Sequence, residues 1–192
     1  MALLTGSNKI NIAVFISGTG SNLKSLIKFS KLKKSPIIIK MIISNNYDAK
    51  GLEYANIYKI KKKVFDFKNT LSEKKVINEL KQNNINLICL AVFMKILSKS
   101  FIKNFKGKIL NIHPSLLPKY KGLNTHERAI RNKDKYSGCT VHYVTSKLDS
   151  GKIINQKKVR INKLDTPKSL AKKVLIQEHK LYPAAIMKIL SL

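Results

Sequence analysis

Ile10-Asn11-Ile12-Ala13-Val14-Phe15-Ile16-Ser17-Gly18-Thr19-Gly20-Ser21-Asn22 is the stretch that decides the fold class. Its first seven residues form a nearly continuous apolar run of strand length, which suits a strand buried on both faces. Ser17 to Gly20 breaks that run. Leu23, Leu26 and Ile27 then recur at helical spacing in a segment from about Ser21 to Lys31. Strand, glycine turn and helix in this order begin an α/β sheet with parallel strands. Glycines at the turn let the backbone approach a ligand, and the helix start offers free N–H groups to an anion. The stretch is not a full dinucleotide fingerprint, because a third glycine and an acidic end to the second strand are missing. It is not a P-loop either, which needs Gly-Lys-Ser/Thr. Alone, it reads equally as a phosphate-binding turn or a plain tight turn.

The same alternation continues outward. Strands are expected at Ile37 to Ser44, near Val64, at Leu87 to Val92 and at Lys108 to Ile112. Helices are expected at Gly51 to Tyr58, Leu71 to Asn83 and from Ser98, whose hydroxyl suits an N-cap. From His113 to Asn124, two prolines and a glycine mark a long loop of the sort that carries function. A helix over Thr125 to Asn132 follows, then strands Cys139 to Val144 and Lys152 to Ile161 joined through Asp149-Ser150-Gly151. The closing helix spans Thr166 to Leu190, with Thr166 as cap, Pro167 in the first turn and a bend expected at Pro183. The expected architecture is a single α/β domain over residues 1–192, Rossmann-like. Its twisted sheet is mostly parallel with helices on both faces, and an antiparallel element lies in the last third.

Composition narrows the function classes. The chain has 192 residues, 44% of them hydrophobic, which is ordinary for a globular core and too high for disorder. No apolar run reaches the roughly 18 residues needed to cross a bilayer, and Met1 to Ile10 lacks a signal-peptide pattern, so a cytoplasmic protein is expected. Cys89 and Cys139 have no metal-ligand spacing and read as two buried, reduced thiols. The net charge of +28 suggests a polyanion partner, yet only three of the 38 basic residues are arginine: Arg128, Arg131 and Arg160. The lysines are spread along the chain among many Asn and Ile residues. AT-rich codon usage accounts for that pattern without a nucleic acid, and arginine-rich stretches interleaved with aromatics are absent.

Two further elements carry chemistry. In Leu110-Asn111-Ile112-His113-Pro114, the strand period of two puts Asn111 and His113 on one face. At the C-terminal edge of a parallel sheet that face meets a ligand crevice. An amide donor beside an imidazolium suits the oxyanion of an acyl-transfer intermediate. Asp149 reads first as turn chemistry. If it folds back to His113, it raises the imidazole pKa and orients the ring.

Taken together, these residues resemble the folate-dependent phosphoribosylglycinamide formyltransferases, from about Lys9 to Ile189. The matching blocks are Ile16 to Asn22, Phe93 to Leu97, Asn111 to Tyr120, Gly138 to Asp149 and Gln177-Glu178-His179. The resemblance implies formyl transfer from 10-formyltetrahydrofolate to the amine of glycinamide ribonucleotide, in purine synthesis, with no metal. It implies Asn111, His113 and Asp149 as the catalytic set, with the imidazole kept charged by Asp149 and a water held by Thr140. Gly20, Ser21 and Asn22 would hold the phosphate and Glu178 the ribose hydroxyls. Met94, Lys95, Ile96 and Leu97, with Asn111, would line the pteridine pocket. Partners are then small molecules, with no specific nucleic acid and no membrane, for a monomer or homodimer.

The chain departs from the family pattern at several points. Val92 replaces a usual glycine, Lys95 an arginine, Asn124 a histidine and Ser150 a glycine; Lys68 is the nearest candidate for a basic residue ahead of the long helix. The chain is also expected to lack the family's C-terminal extension. Two enzymes of related chemistry, methionyl-tRNA formyltransferase and formyltetrahydrofolate deformylase, share the Asn, His and Asp set. On length, the chain is expected to have room for neither the extra C-terminal domain of the former nor the N-terminal domain of the latter. A deformylase-like hydrolase and, from another class, a basic nucleic-acid-binding protein are the alternatives.

Overall fold

A computed structural model describes residues 9–190, so most of the Met1 to Ile10 reading lies outside the described residues. The apolar runs become strands β1 (Ile10–Ile16), β2 (Ile37–Ser44), β3 (Lys61–Val64), β4 (Leu87–Leu90) and β5 (Lys108–His113). They are followed by β6 (Tyr136–Tyr143) and β7 (Ile153–Arg160). Helices α1 (Ser21–Ser30), α2 (Glu53–Tyr58), α3 (Thr70–Gln82), α4 (Lys99–Asn104), α5 (Thr125–Arg131) and α6 (Pro167–Leu190) intervene or follow. The strands form one sheet in the order β3-β2-β1-β4-β5-β6-β7. The first five in that order pair in parallel. β6 and β7 run antiparallel, as expected for the last third.

Side-chain alternation along β1 splits the core between the two faces. Ile12, Val14 and Ile16 pack with Leu23, Leu26 and Ile27 of α1, Ala55 of α2 and Leu170, Val174 and Ile186 of α6. Ala13 and Phe15 pack on the other face with Val76, Ile77 and Leu80 of α3 and Phe101 of α4. Both cysteines are free and buried. Among the described residues, no helix is long and apolar enough to cross a membrane.

Two local differences have physical causes. β4 stops at Leu90, short of Val92, because Val92 takes a left-handed φ of 62° that no strand accommodates. β6 starts at Tyr136, before the apolar run at Cys139, because cross-strand pairing with β7 extends back to Tyr136↔Arg160. α6 is continuous from Pro167 to Leu190, close to the expected span, with Pro183 inside it. The proline has no N–H for the carbonyl of His179 one turn back. Ser25 of α1 supplies the missing donor, its hydroxyl bonding that carbonyl at 2.8 Å.

The sheet order creates the crevice. β1 lies between β2 and β4, so the connections after β1 and β4 diverge from neighbouring strand ends, where open α/β sheets bind ligands. Phe15, Leu90, Asn111 and His142 lie in one row across β1, β4, β5 and β6. Ser17, Val92 and His113 therefore sit two residues beyond that row, at the rim.

Candidate active site

Asn111, His113 and Asp149 come together at this rim. The register pairs Asn111 with His142 and His113 with Thr140. Asp149 follows β6, in the left-handed region at φ 45°. Its Oδ2 accepts a bond from the Gly122 N–H at 2.9 Å and lies 3.4 Å from His113 Nδ1. Its Oδ1 lies 3.5 Å from both the Asn111 amide nitrogen and His142 Nε2. Asp149 thus lies in a turn and close to His113 at the same time.

The protons on His113 follow from its partners. Nε2 is 2.8 Å from the Tyr120 carbonyl, which can only accept, so this nitrogen carries a proton. Nδ1 faces the carboxylate at a separation too long for a strong bond. Here the sequence expectation needs correcting. Burial lowers the imidazole pKa below 6.5 and outweighs the Tyr120 carbonyl and the Asp149 charge, which both raise it. His113 is therefore not held charged near neutral pH in the free protein. Burial pushes the Asp149 carboxyl up, but the bonds from His142 and Gly122 and the charges of both histidines bring it below 3.8. Asp149 is ionised at neutral pH.

His142 was not singled out from sequence. Its Nδ1 is 2.8 Å from the Tyr143 carbonyl, and Nε2 is 3.2 Å from the Asn111 amide nitrogen. It thereby aims Asn111. Its parity with Thr140 along β6 was readable, but the antiparallel register opposite Asn111 was not. Thr140 overturns another expectation. Its fully buried hydroxyl donates to the Ser115 carbonyl at 2.7 Å and accepts from Leu117 N–H and Gln156 Nε2. Those bonds occupy the hydroxyl, so it pins the loop and has no capacity left for a water.

A second cluster forms where α1 meets α6. Gly20 precedes α1 at φ 74°, and the helix start has no side-chain cap and no acidic residue in its first turn. Its N–H groups and positive dipole end are available to an anion. The buried Asn22 amide donates to Glu178 Oε2 at 2.7 Å, while Asn22 Oδ1 has no partner among the described residues. Burial raises the Glu178 pKa, opposed by the Asn22 bond. A buried carboxyl beside an unpaired amide oxygen suits hydroxyl groups, which can donate to both.

The third cluster is tied to the second. Met94 N–H donates to Ser17 Oγ at 2.7 Å, and Ser17 N–H donates to the Val92 carbonyl at 3.2 Å. Met94, Lys95 and Ile96 are exposed at the rim, Ile96 at 77%. Leu97, by contrast, is buried in the core with Phe101. A separate cavity of about 380 Å³, lined by Ile10, Asn86, Lys108 and Leu190, opens at the strand starts, at the opposite end of the sheet.

Known proteins match this chain in sequence and fold. The formyl transferase family model matches residues 10–186. Phosphoribosylglycinamide formyltransferase of Escherichia coli is 40% identical over 182 residues, covering 92% of this chain and 85% of that protein. The trifunctional purine biosynthetic protein adenosine-3 of Gallus gallus is 41% identical over 189 residues; the match covers 96% of this chain but spans only 19% of that longer protein. The crystal structure of phosphoribosylglycinamide formyltransferase from Brucella melitensis superposes with a TM-score of 0.90 at 40% identity, covering 95% of this chain and 96% of that one. With this match on both sequence and fold, the chain belongs to the formyl transferase family, among its phosphoribosylglycinamide formyltransferases.

Proposed function

We propose that this chain transfers the formyl group of 10-formyltetrahydrofolate to the amine of 5-phosphoribosylglycinamide. The observation that carries this reading is the convergence of Asn111, His113 and Asp149 on one strand end, beside the uncapped start of α1. The α1 start with Gly20, Ser21 and Asn22 would take the phosphate, and Glu178 with Asn22 the ribose hydroxyls. The exposed Met94 and Ile96 would give the pteridine an apolar wall.

The chemistry needs no protein nucleophile, because the substrate brings its own amine. The amine attacks the formyl carbon, forming a C–N bond and an oxyanion. The Asn111 amide donates to that oxyanion. His113 is anchored through Nε2, so Nδ1 is its proton-transfer atom. That nitrogen takes the proton released by the attacking amine and, once charged, sits between the Asp149 carboxylate and the oxyanion. The same proton goes to the departing folate nitrogen as its C–N bond breaks, leaving tetrahydrofolate and the formylated ribonucleotide. Nδ1 starts and ends each cycle neutral, which agrees with its lowered pKa.

The test is formyl transfer followed by folate absorbance, for wild type, His113→Ala and Asp149→Asn. Activity in the wild type with losses of about a hundredfold or more in both variants is expected, given the usual weight of positioned acid–base groups. Formate release without acceptor would instead favour a hydrolase. No turnover at all by a folded wild type would overturn the reading.

A further inference from the structure

Arg128 is the residue that the mechanism leaves unused and the geometry does not. It stands on α5, outside the catalytic cluster. Its Nη1 donates to the Lys121 carbonyl at 2.7 Å and lies 3.4 Å from the Leu123 carbonyl. The guanidinium also lies over the Tyr120 ring, 5.0 Å from its centre. These contacts grip residues 120–123. Within that grip, the Tyr120 carbonyl holds His113 Nε2 and the Gly122 N–H holds Asp149 Oδ2. Asp134 holds the Tyr120 hydroxyl from the far side, and Lys121 Nζ reaches Ser150 Oγ, next to Asp149, at 2.6 Å.

We propose that Arg128 is a positioning residue for the formyl-transfer reaction: it clamps the 120–123 backbone so that one carbonyl sets the His113 tautomer and one N–H orients Asp149. The inference rests on the proposed function for its kinetic consequence, though not for its structural one. Lysine cannot reproduce both halves of this grip. One guanidinium nitrogen reaches two carbonyls while the flat group lies over an aromatic ring, whereas lysine offers a point charge on a flexible stem. Composition points the same way. In a chain whose cations are almost all lysine, one of the three arginines stands at this position. Without the clamp, Tyr120 is still held through its hydroxyl by Asp134 and Asn132 and at its carbonyl by the Ser115 hydroxyl at 3.4 Å. Residues 121–123, however, lose their anchor, and the carbonyl's bond to Nε2 loosens. The proton then has no fixed nitrogen, and Nδ1 is no longer reliably a base.

The experiment compares Arg128→Lys and Arg128→Ala with wild type. Arg128→Lys keeps the positive charge that His113 feels alongside Asp149, His142 and His126, but it removes the flat guanidinium that lies over Tyr120. We expect kcat to fall roughly tenfold or more in both variants, with substrate KM values changed less, since small misplacements of catalytic groups are costly. Millimolar guanidinium is expected to restore part of the rate to Arg128→Ala, and methylammonium is not. A wild-type rate and pH profile in Arg128→Lys would overturn the proposal, because charge alone would then suffice. A second readout does not depend on turnover: the Gly122 amide should exchange hydrogen faster in Arg128→Lys, with thermal unfolding little changed. Unchanged protection of Gly122 would overturn the clamp even if the enzyme proved to have another substrate.

Discussion

Gly20 and Gly18 are two residues apart in one turn, yet alanine should have opposite effects at the two positions. Gly20 adopts a φ of 74°, and a Cβ there would lie 2.7 Å from the Cα of Gly51. Gly51 has no room to retreat. Its N–H is bonded to the Gly18 carbonyl at 2.9 Å, and a Cβ of its own would meet Ile16 Cδ1 at 2.7 Å. The left-handed conformation costs a non-glycine residue about 1–2 kcal/mol. Overpacking against fixed backbone adds about 1–3 kcal/mol. Reduced freedom of the unfolded chain returns about 0.4–1 kcal/mol. Gly20→Ala should therefore destabilise by about 2–4 kcal/mol, a drop of roughly 5–15 °C in Tm for a chain of this size. At Gly18 a Cβ meets nothing within 4 Å and φ lies outside the left-handed region. Gly18→Ala should be neutral or stabilising by up to about 1 kcal/mol. Urea unfolding followed by circular dichroism measures both. Equal stability of the two variants would refute the reasoning, and so would a Gly20→Ala protein as stable as wild type. The ribonucleotide KM of Gly20→Ala should also rise, because the same backbone faces the phosphate.

Two further outcomes follow from buried polar groups. Thr140→Val strands the Leu117 N–H and the Ser115 hydrogen-bond partner inside the core, and should cost about 2–3 kcal/mol in urea unfolding; a loss below about 0.5 kcal/mol would contradict the loop-pinning role. His113, His126 and His179 are each lowered below 6.5 by burial, so the unfolded chain binds more protons as the pH falls through the histidine range. The stability they leave intact above that range is lost on acidification, with Glu178, raised above 4.5, opposing as a single carboxyl. The urea midpoint should fall between pH 7.5 and 5.5, and a rising midpoint would count against neutral buried histidines.

The sequence by itself determined what depends on local periodicity. The apolar run of β1, the helical spacing of Leu23, Leu26 and Ile27, and the alternation of further strands and helices required a mostly parallel α/β sheet. Parity along β5 put Asn111 and His113 on one face before any partner strand was known. The Thr166 cap and the Pro167 start of α6 were equally local. Tertiary structure decided what depends on register and burial. Only the antiparallel pairing set His142 opposite Asn111, and only the path of the chain after β6 carried Asp149 back to His113. The occupied hydroxyl of Thr140 and the core position of Leu97 belong to the same class. So does the sign of the His113 shift: the adjacent carboxylate argued for a raised pKa, but the ring's desolvation is set by everything packed around it. Cross-strand register and solvent exclusion arise between residues far apart in the chain, and no short-range pattern encodes them.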